Sequence, residues 1–344
     1  MVFFGLFAIL TVVLFAPFLV RKVEEELEIF LFIAGVIAVT ITSAWSISLI
    51  KEALTEPIKI TLAVFIAGFL FKISQQPMDR NVNKIADVLG VKLFAFLVIV
   101  ILGILSSIIT AIIAALVLVE IISCLTLDRK NEIILVILAC FSIGLGAALT
   151  SIGEPLSTIA IAKLKGDPYQ AGFFFLFRHL WHYIIPGVLV FGGLGFILMP
   201  QKRQLKPSLQ EEREENLKDI IIRTAKVYLF VMALVFLGRG FKPIVEAYIS
   251  RLPYQGLYWL NMISAIVDNA TLTAAEIAPG MSLLQIKSAL MGLLLAGGML
   301  IPGNIPNIIS AGKLKIKSSE WARFGLPLGL LAMTGYFFLL MLIK

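Results

Sequence analysis

Long stretches without a single charge alternate with short polar connections along this chain. Phe3–Val20, Leu93–Val119 and Leu326–Ile343 contain no Asp, Glu, Lys or Arg. An α-helix needs about 20 mainly apolar residues to cross the hydrocarbon core of a bilayer. The apolar runs predict spans at 2–20, 29–46, 57–74, 91–106, 108–124, 132–149, 170–198, 219–238, 255–267, 284–300 and 322–343, which makes about 10–12 transmembrane segments. Segments 47–56 and 77–90 mix polar and apolar positions and predict amphipathic helices at the membrane surface. Gln201–Lys218 is the most polar stretch. It predicts a water-exposed connection (201–218) between an N-terminal half (1–200) and a C-terminal half (219–344).

Composition turns this pattern into a class. Of 344 residues, 59% are hydrophobic and 15% charged, against roughly 45–50% and about 25% in soluble domains. The chain reads as an all-α polytopic membrane protein in contact with the lipid bilayer, multi-pass in the cell inner (plasma) membrane. The net charge of +7 is scattered over short loops, the usual topology signature, so no nucleic-acid surface is expected. Cys124 and Cys140 both lie in apolar runs, which excludes a disulfide framework. Met1–Val20 has no basic leader and reads as a retained first helix. No P-loop, dinucleotide fingerprint or His-Glu-x-x-His motif occurs. No enzyme activity and no cofactor are expected, and ion gradients are left as the energy source.

The two halves resemble each other. Gly153-Glu154-Pro155-Leu156-Ser157 is followed by Lys163-Leu164-Lys165, and Gly303-Asn304-Ile305-Pro306-Asn307 by Lys313-Leu314-Lys315, at a constant offset of 150 residues. Upstream, Ser106-Ser107-Ile108-Ile109-Thr110 matches Ser264-Ala265-Ile266-Val267-Asp268 at an offset of 158. Duplicated halves are common among secondary transporters.

Each half therefore carries two polar interruptions within apolar sequence: Ser106–Thr110 and Thr150–Thr158 in the first, Asp268–Thr273 and Pro302–Asn307 in the second. Gly and Pro open the helix there, and freed carbonyls with Ser, Thr, Asn and carboxylate oxygens suit a hard cation. Asp268 is the strongest candidate, because a carboxylate at the centre of a membrane helix costs roughly 2.5–3.5 kcal/mol on insertion scales. No basic residue is its neighbour in sequence, so it would hold a proton or a cation; capping of the half-helix that follows is compatible with that role. Glu154, between Gly153 and Pro155, is second. The expected ion-binding set is Asp268, Asn269, Thr271, Thr273, Glu154, Ser151, Ser157, Thr110, Asn304 and Asn307, with Asp268 and Glu154 as ligands of the transported cation. Glu276 reads either as functional or as an interfacial carboxylate, and nothing local supports Glu120. His179 and His182, at i and i+3 beside Arg178, Trp181 and Tyr183, fit an interfacial aromatic belt better than a metal pair.

Ser264-Ala265-Ile266-Val267-Asp268-Asn269-Ala270-Thr271-Leu272-Thr273-Ala274-Ala275 resembles the second-half signature of the NhaD-type sodium/proton antiporters, within the ion transporter superfamily. The chain is also similar to a prokaryotic membrane family described as cation transporters, from about residue 90 onward. The resemblance implies two inverted repeats, each with a re-entrant hairpin and an interrupted helix, assembled as a homodimer with elevator-type movement. It places Asp268 and Asn269 on the antiporters' Asp-Asn pair and Gly153-Glu154 on their Gly-Asp. Thr271 replaces a proline, and Thr110-Ala111 stands where the antiporters' first half carries a second Asp-Asn. The expected function is cation/proton (Na⁺/H⁺) antiport, with small inorganic ions as partners. The alternative is Na⁺-coupled symport of a small anion such as a carboxylate or sulfate. A passive channel needs a continuous pore and not one occluded central site, and a scaffold subunit would leave the duplicated breaks without purpose.

Overall fold

The computed structural model describes residues 2–20, 22–23, 26–125, 127–201, 217–244, 252–267 and 269–342. Asp268, Glu246 and most of the polar connection expected at 201–218 lie outside these. Among the described residues the chain is wholly helical: α1 (Val2–Leu19), α2 (Leu27–Ile41), α3 (Ile47–Leu89), α4 (Val91–Ile109), α5 (Ala111–Cys124), α6 (Arg129–Ala147), α7 (Pro155–Lys163), α8 (Phe175–Leu198), α9 (Leu217–Ile244), α10 (Tyr254–Leu260), α11 (Asn269–Glu276), α12 (Leu283–Gly297), α13 (Ile305–Leu314) and α14 (Ser318–Leu342), with 3₁₀ turns at Asn261–Ala265 and Ile301–Gly303.

Five helices are long and apolar enough to cross a membrane: Val91–Ile109, Arg129–Ala147, Phe175–Leu198, Ile220–Ile244 and Ser318–Leu342. The chain is a membrane-embedded all-α protein. Its layers are graded: 83% of α6 is buried within the protein, but only 22% of the apolar window in α14. The outward residues include Ile101, Ile108, Val190, Ile197 and Leu331, a surface that suits lipid and not water.

Local chemistry explains several boundaries. Ser46 caps α3 by accepting from the Leu49 amide at 3.1 Å. Ser282 and Gln285 form a reciprocal capping box at the start of α12. Arg129 donates to the carbonyls of Leu314 (2.9 Å) and Lys315 (2.8 Å) and pairs with Glu320 at 3.1 Å. It thereby satisfies the open C-terminal end of α13 from the start of α6. The region expected as a surface helix, a span and a second surface helix is one continuous helix of 43 residues, α3. Helical backbone continues through its polar positions between 77 and 89. The first break is at Gly90, with φ +76°.

The order of elements is duplicated. The series α3 to α8 has the same sequence of parts as α9 to α14: a long helix, a helix broken in two, a helix–break–short helix unit, and a closing long helix. The packing follows the duplication. α4 packs on α6 as the 261–265 turn and α10 pack on α12; α3 on α5 as α9 on α11; α6 on α8 as α12 on α14. Two contacts are reciprocal: α5 lies against α13, and α11 against α7. The halves therefore interlock. A matched hydrogen bond gives the register. Ser106 Oγ donates to Ile143 O at 3.0 Å, and Ser264 Oγ to Leu293 O at 3.3 Å, with donors 158 and acceptors 150 residues apart.

Candidate functional site

Four helix breaks meet at the interlock. In the first half, α4 ends and α5 begins at Thr110, which has φ 79° and ψ 151°. A β-branched residue at positive φ is an outlier that only surrounding structure can hold, at about 1–3 kcal/mol. Two bonds hold it: the Ala111 amide donates to Gly153 O at 2.7 Å, and Thr150 Oγ1 donates to Ser107 O. The first break is thus tied to the second.

The second and fourth breaks share a backbone shape. Glu154 is the N-cap of α7 at φ −154°, ψ 161°, and Asn304 the N-cap of α13 at φ −152°, ψ 147°. Neither side chain caps its helix, and a proline occupies N1 or N2 in both. The cap role that would explain a polar residue here is therefore not taken. Both are buried, at 4% exposure. The glycine before each admits no side chain. A Cβ on Gly153 would lie 2.0 Å from Ala147 O, and one on Gly303 2.5 Å from Gly297 O.

The third break joins the fourth. Asn269 opens α11, and its Nδ2 lies 3.5 Å from where a Cβ on Gly297 would be. A Cβ on Gly303 would lie 2.8 Å from Ser264 O. The fourth break also reaches the first half, for the Asn304 amide nitrogen fills the space that a Cβ on Gly144 of α6 would need. With α7 packed on α11, contacts run through all four breaks. Four helices, α5, α7, α11 and α13, start there, and α4, α6, α12 and the 261–265 turn end there.

The expected site residues differ in what their atoms do. Ser157 is fully buried, and among the described residues its Oγ has no hydrogen-bond partner; neither does Asn269 Nδ2 nor Asn307 Oδ1. Buried polar atoms are paired as a rule, and these three exceptions fall at three of the four breaks. Other atoms are committed. Asn307 Nδ2 donates to Gly297 O (2.8 Å) and Leu300 O (2.9 Å), bracing its own break, so Oδ1 alone remains for binding. Thr273 Oγ1 donates to Asn269 O at 2.8 Å. Ser151 is half-buried, and its carbonyl accepts from Thr158 Oγ1 at 2.6 Å. Thr271 is half-buried against Gly238 of α9.

Two features escaped sequence reasoning. Glu120 on α5 has a partner after all: Lys313 Nζ on α13 lies 3.6 Å from its Oε1, with both side chains near 10% exposure. The pair comes from residues far apart in sequence, so no local signal announced it. Glu276 is buried within the protein, 1% exposed, and bonded to Asn261. His179 and His182 pack on Phe175 and Tyr183, with ring centroids 4.6 and 4.2 Å apart. Among the described residues no three His, Cys, Asp or Glu side chains gather as a metal site.

No curated protein matches the chain. One family profile does, over residues 3–343, that of the family described as Protein of unknown function (DUF1646). That match takes in nearly every residue, including all four breaks, and the chain belongs to this family.

Proposed function

We propose that this protein is a secondary active transporter exchanging Na⁺, or a related cation, for protons. The observation that carries the reading is the convergence of four helix breaks around buried polar atoms without partners: Ser157 Oγ, Asn269 Nδ2 and Asn307 Oδ1. Non-helical backbone at membrane depth is tolerated only where protein buries it or where it lines a cavity. The arms that leave the breaks are short. At 1.5 Å rise per residue, α7, α11 and α13 extend only about 12–15 Å, half of the roughly 30 Å core, which places the breaks near the midplane.

In this reading α3–α8 and α9–α14 are inverted repeats. Each has an interrupted helix (α4/α5; α10/α11) and a re-entrant hairpin (α6/α7; α12/α13), and together with α1 and α2 they make the 10–12 segments of the topology. The matched packing and the paired Ser106 and Ser264 bonds support it. Asp268 and Glu154 are the carboxylates that take up a cation or protons in alternation. Thr110, Ser151, Ser157, Asn269, Thr271, Thr273, Asn304 and Asn307 with nearby carbonyls complete the cavity. The frame of α2, α3 and α9 packs on itself and is the part against which the site-bearing helices slide, elevator-fashion, in a homodimer of the inner membrane.

A second reading has its own support. Four helix N-termini and an orphan donor, Asn269 Nδ2, suit an anion, so Na⁺-coupled symport of a small carboxylate or sulfate is the competing function. Against it, no arginine lies in the breaks to grip an anion bidentately. Proteoliposomes loaded with a pH-sensitive dye and challenged with Na⁺, Li⁺, K⁺ or Ca²⁺ separate these readings. Antiport predicts proton movement driven by one of the cations. If no cation moves protons, antiport is wrong, and Na⁺-dependent anion uptake decides for the second reading.

A further inference from the structure

One buried carboxylate stands apart from the breaks. Glu276 is the last residue of α11, two turns beyond Asn269. Its Oε2 accepts from Asn261 Nδ2 at 2.9 Å, and the same nitrogen donates to Ala289 O at 3.1 Å. A carbonyl only accepts, so the amide orientation is fixed: Asn261 turns its nitrogen toward Glu276. Glu276 Oε1 and Asn261 Oδ1 are both buried without a partner, in residues 1% and 0% exposed.

The surroundings oppose a negative charge on this side chain. Burial removes its water, and it sits at the C-terminal end of a helix, where the backbone dipole disfavours an anion. The charged side chains described on the elements around it are engaged or exposed. On α9, Lys226 pairs with Glu26 and Glu28, and Arg239 with Glu52, while Lys218 and Lys242 are exposed. On α12, Lys287 lies over the Tyr183 ring. On α7, Lys163 is exposed and Glu154 stands at the opposite end of the helix. The 261–265 turn and α10 carry no charge.

We propose that Glu276, held by Asn261, is a proton-binding site: a carboxylic acid that stays protonated at neutral pH. The proton turns Oε1 from a buried acceptor without a donor into a donor itself. A metal cation fits less well, because the Asn261 amide hydrogens, which would repel it, are turned toward the carboxyl. This site is distinct from the one at the breaks, and its occupancy does not depend on the transport reading.

Infrared difference spectroscopy of the purified protein at neutral pH, wild type against Glu276→Gln, tests it. Loss of a protonated-carboxyl C=O band in the variant, unmoved by added Na⁺, is the expected result. Loss of carboxylate bands instead, or a band displaced by Na⁺, overturns the proposal. If Glu276→Gln does not fold, the wild type is treated with dicyclohexylcarbodiimide, which modifies protonated carboxyls in apolar surroundings. A Glu276 adduct at neutral pH that vanishes at alkaline pH upholds the proposal, and its absence at neutral pH overturns it. Neither readout involves ion flux, so failure here is distinguishable from failure of the transport reading.

Discussion

At the residue scale, Ser157 and Asn307 occupy corresponding positions, one helical turn into α7 and α13, but their atoms do different work. Ser157 Oγ has no partner, whereas Asn307 Nδ2 braces two carbonyls. Ser157→Ala removes an unpaired buried hydroxyl, so unfolding stability should hold or rise, by up to about 1–3 kcal/mol, while cation-driven transport falls. Asn307→Ala takes a donor from Gly297 O and from Leu300 O, the latter keeping only the Gly303 amide at 3.3 Å, and should cost about 1–3 kcal/mol. Thr110 stores strain at its positive φ. Thr110→Gly should relieve up to about 1–3 kcal/mol of it, partly offset by about 0.5–1 kcal/mol of glycine entropy. A raised melting temperature with lower transport is the expected outcome, and a lowered one would mean that Thr110 is not strained. These residues were legible in the sequence as polar atoms in apolar runs. Which of their atoms are committed was not, because the carbonyls that Asn307 and Thr150 bond become neighbours only once the helices break.

At the element scale, the breaks themselves were readable. Gly153-Glu154-Pro155 and Gly303-Asn304, 150 residues apart, and Thr110 interrupt apolar sequence, and helices are interrupted there. The length of α3 was not readable, since a run of polar residues between 77 and 89 looks like a surface segment unless the backbone ladder continues through it. Nor was the Glu120–Lys313 pair, which ties α5 to α13 across the interlock. Removing one member of a buried pair strands the other, at about 3–5 kcal/mol, whereas replacing both is often close to neutral. Glu120→Gln and Lys313→Met should each lower unfolding stability by roughly that much, and the double variant should recover most of the loss. Additive losses would show that the two side chains are stabilised independently.

At the scale of the whole molecule, the duplication was visible as two matched motifs, and the structure adds that the halves embrace. α5 packs on α13 and α11 on α7, so each half supplies a short helix to the other's broken one. An offset between sequences says nothing about such reciprocity, because packing partners are set by the interlock and not by neighbouring residues. The atoms Ser157 Oγ, Asn269 Nδ2 and Asn307 Oδ1 come from both halves, so the proposed site draws on each. The central claim is that a cation and protons compete at these breaks. Its most direct test is dye-reported proton flux in proteoliposomes driven by the active cation, wild type against Glu154→Gln, a neutral side chain of the same shape at the N-cap of α7. The account predicts robust flux for the wild type and at least a tenfold loss in the variant, equivalent to about 1.4 kcal/mol. Undiminished flux through Glu154→Gln would contradict it.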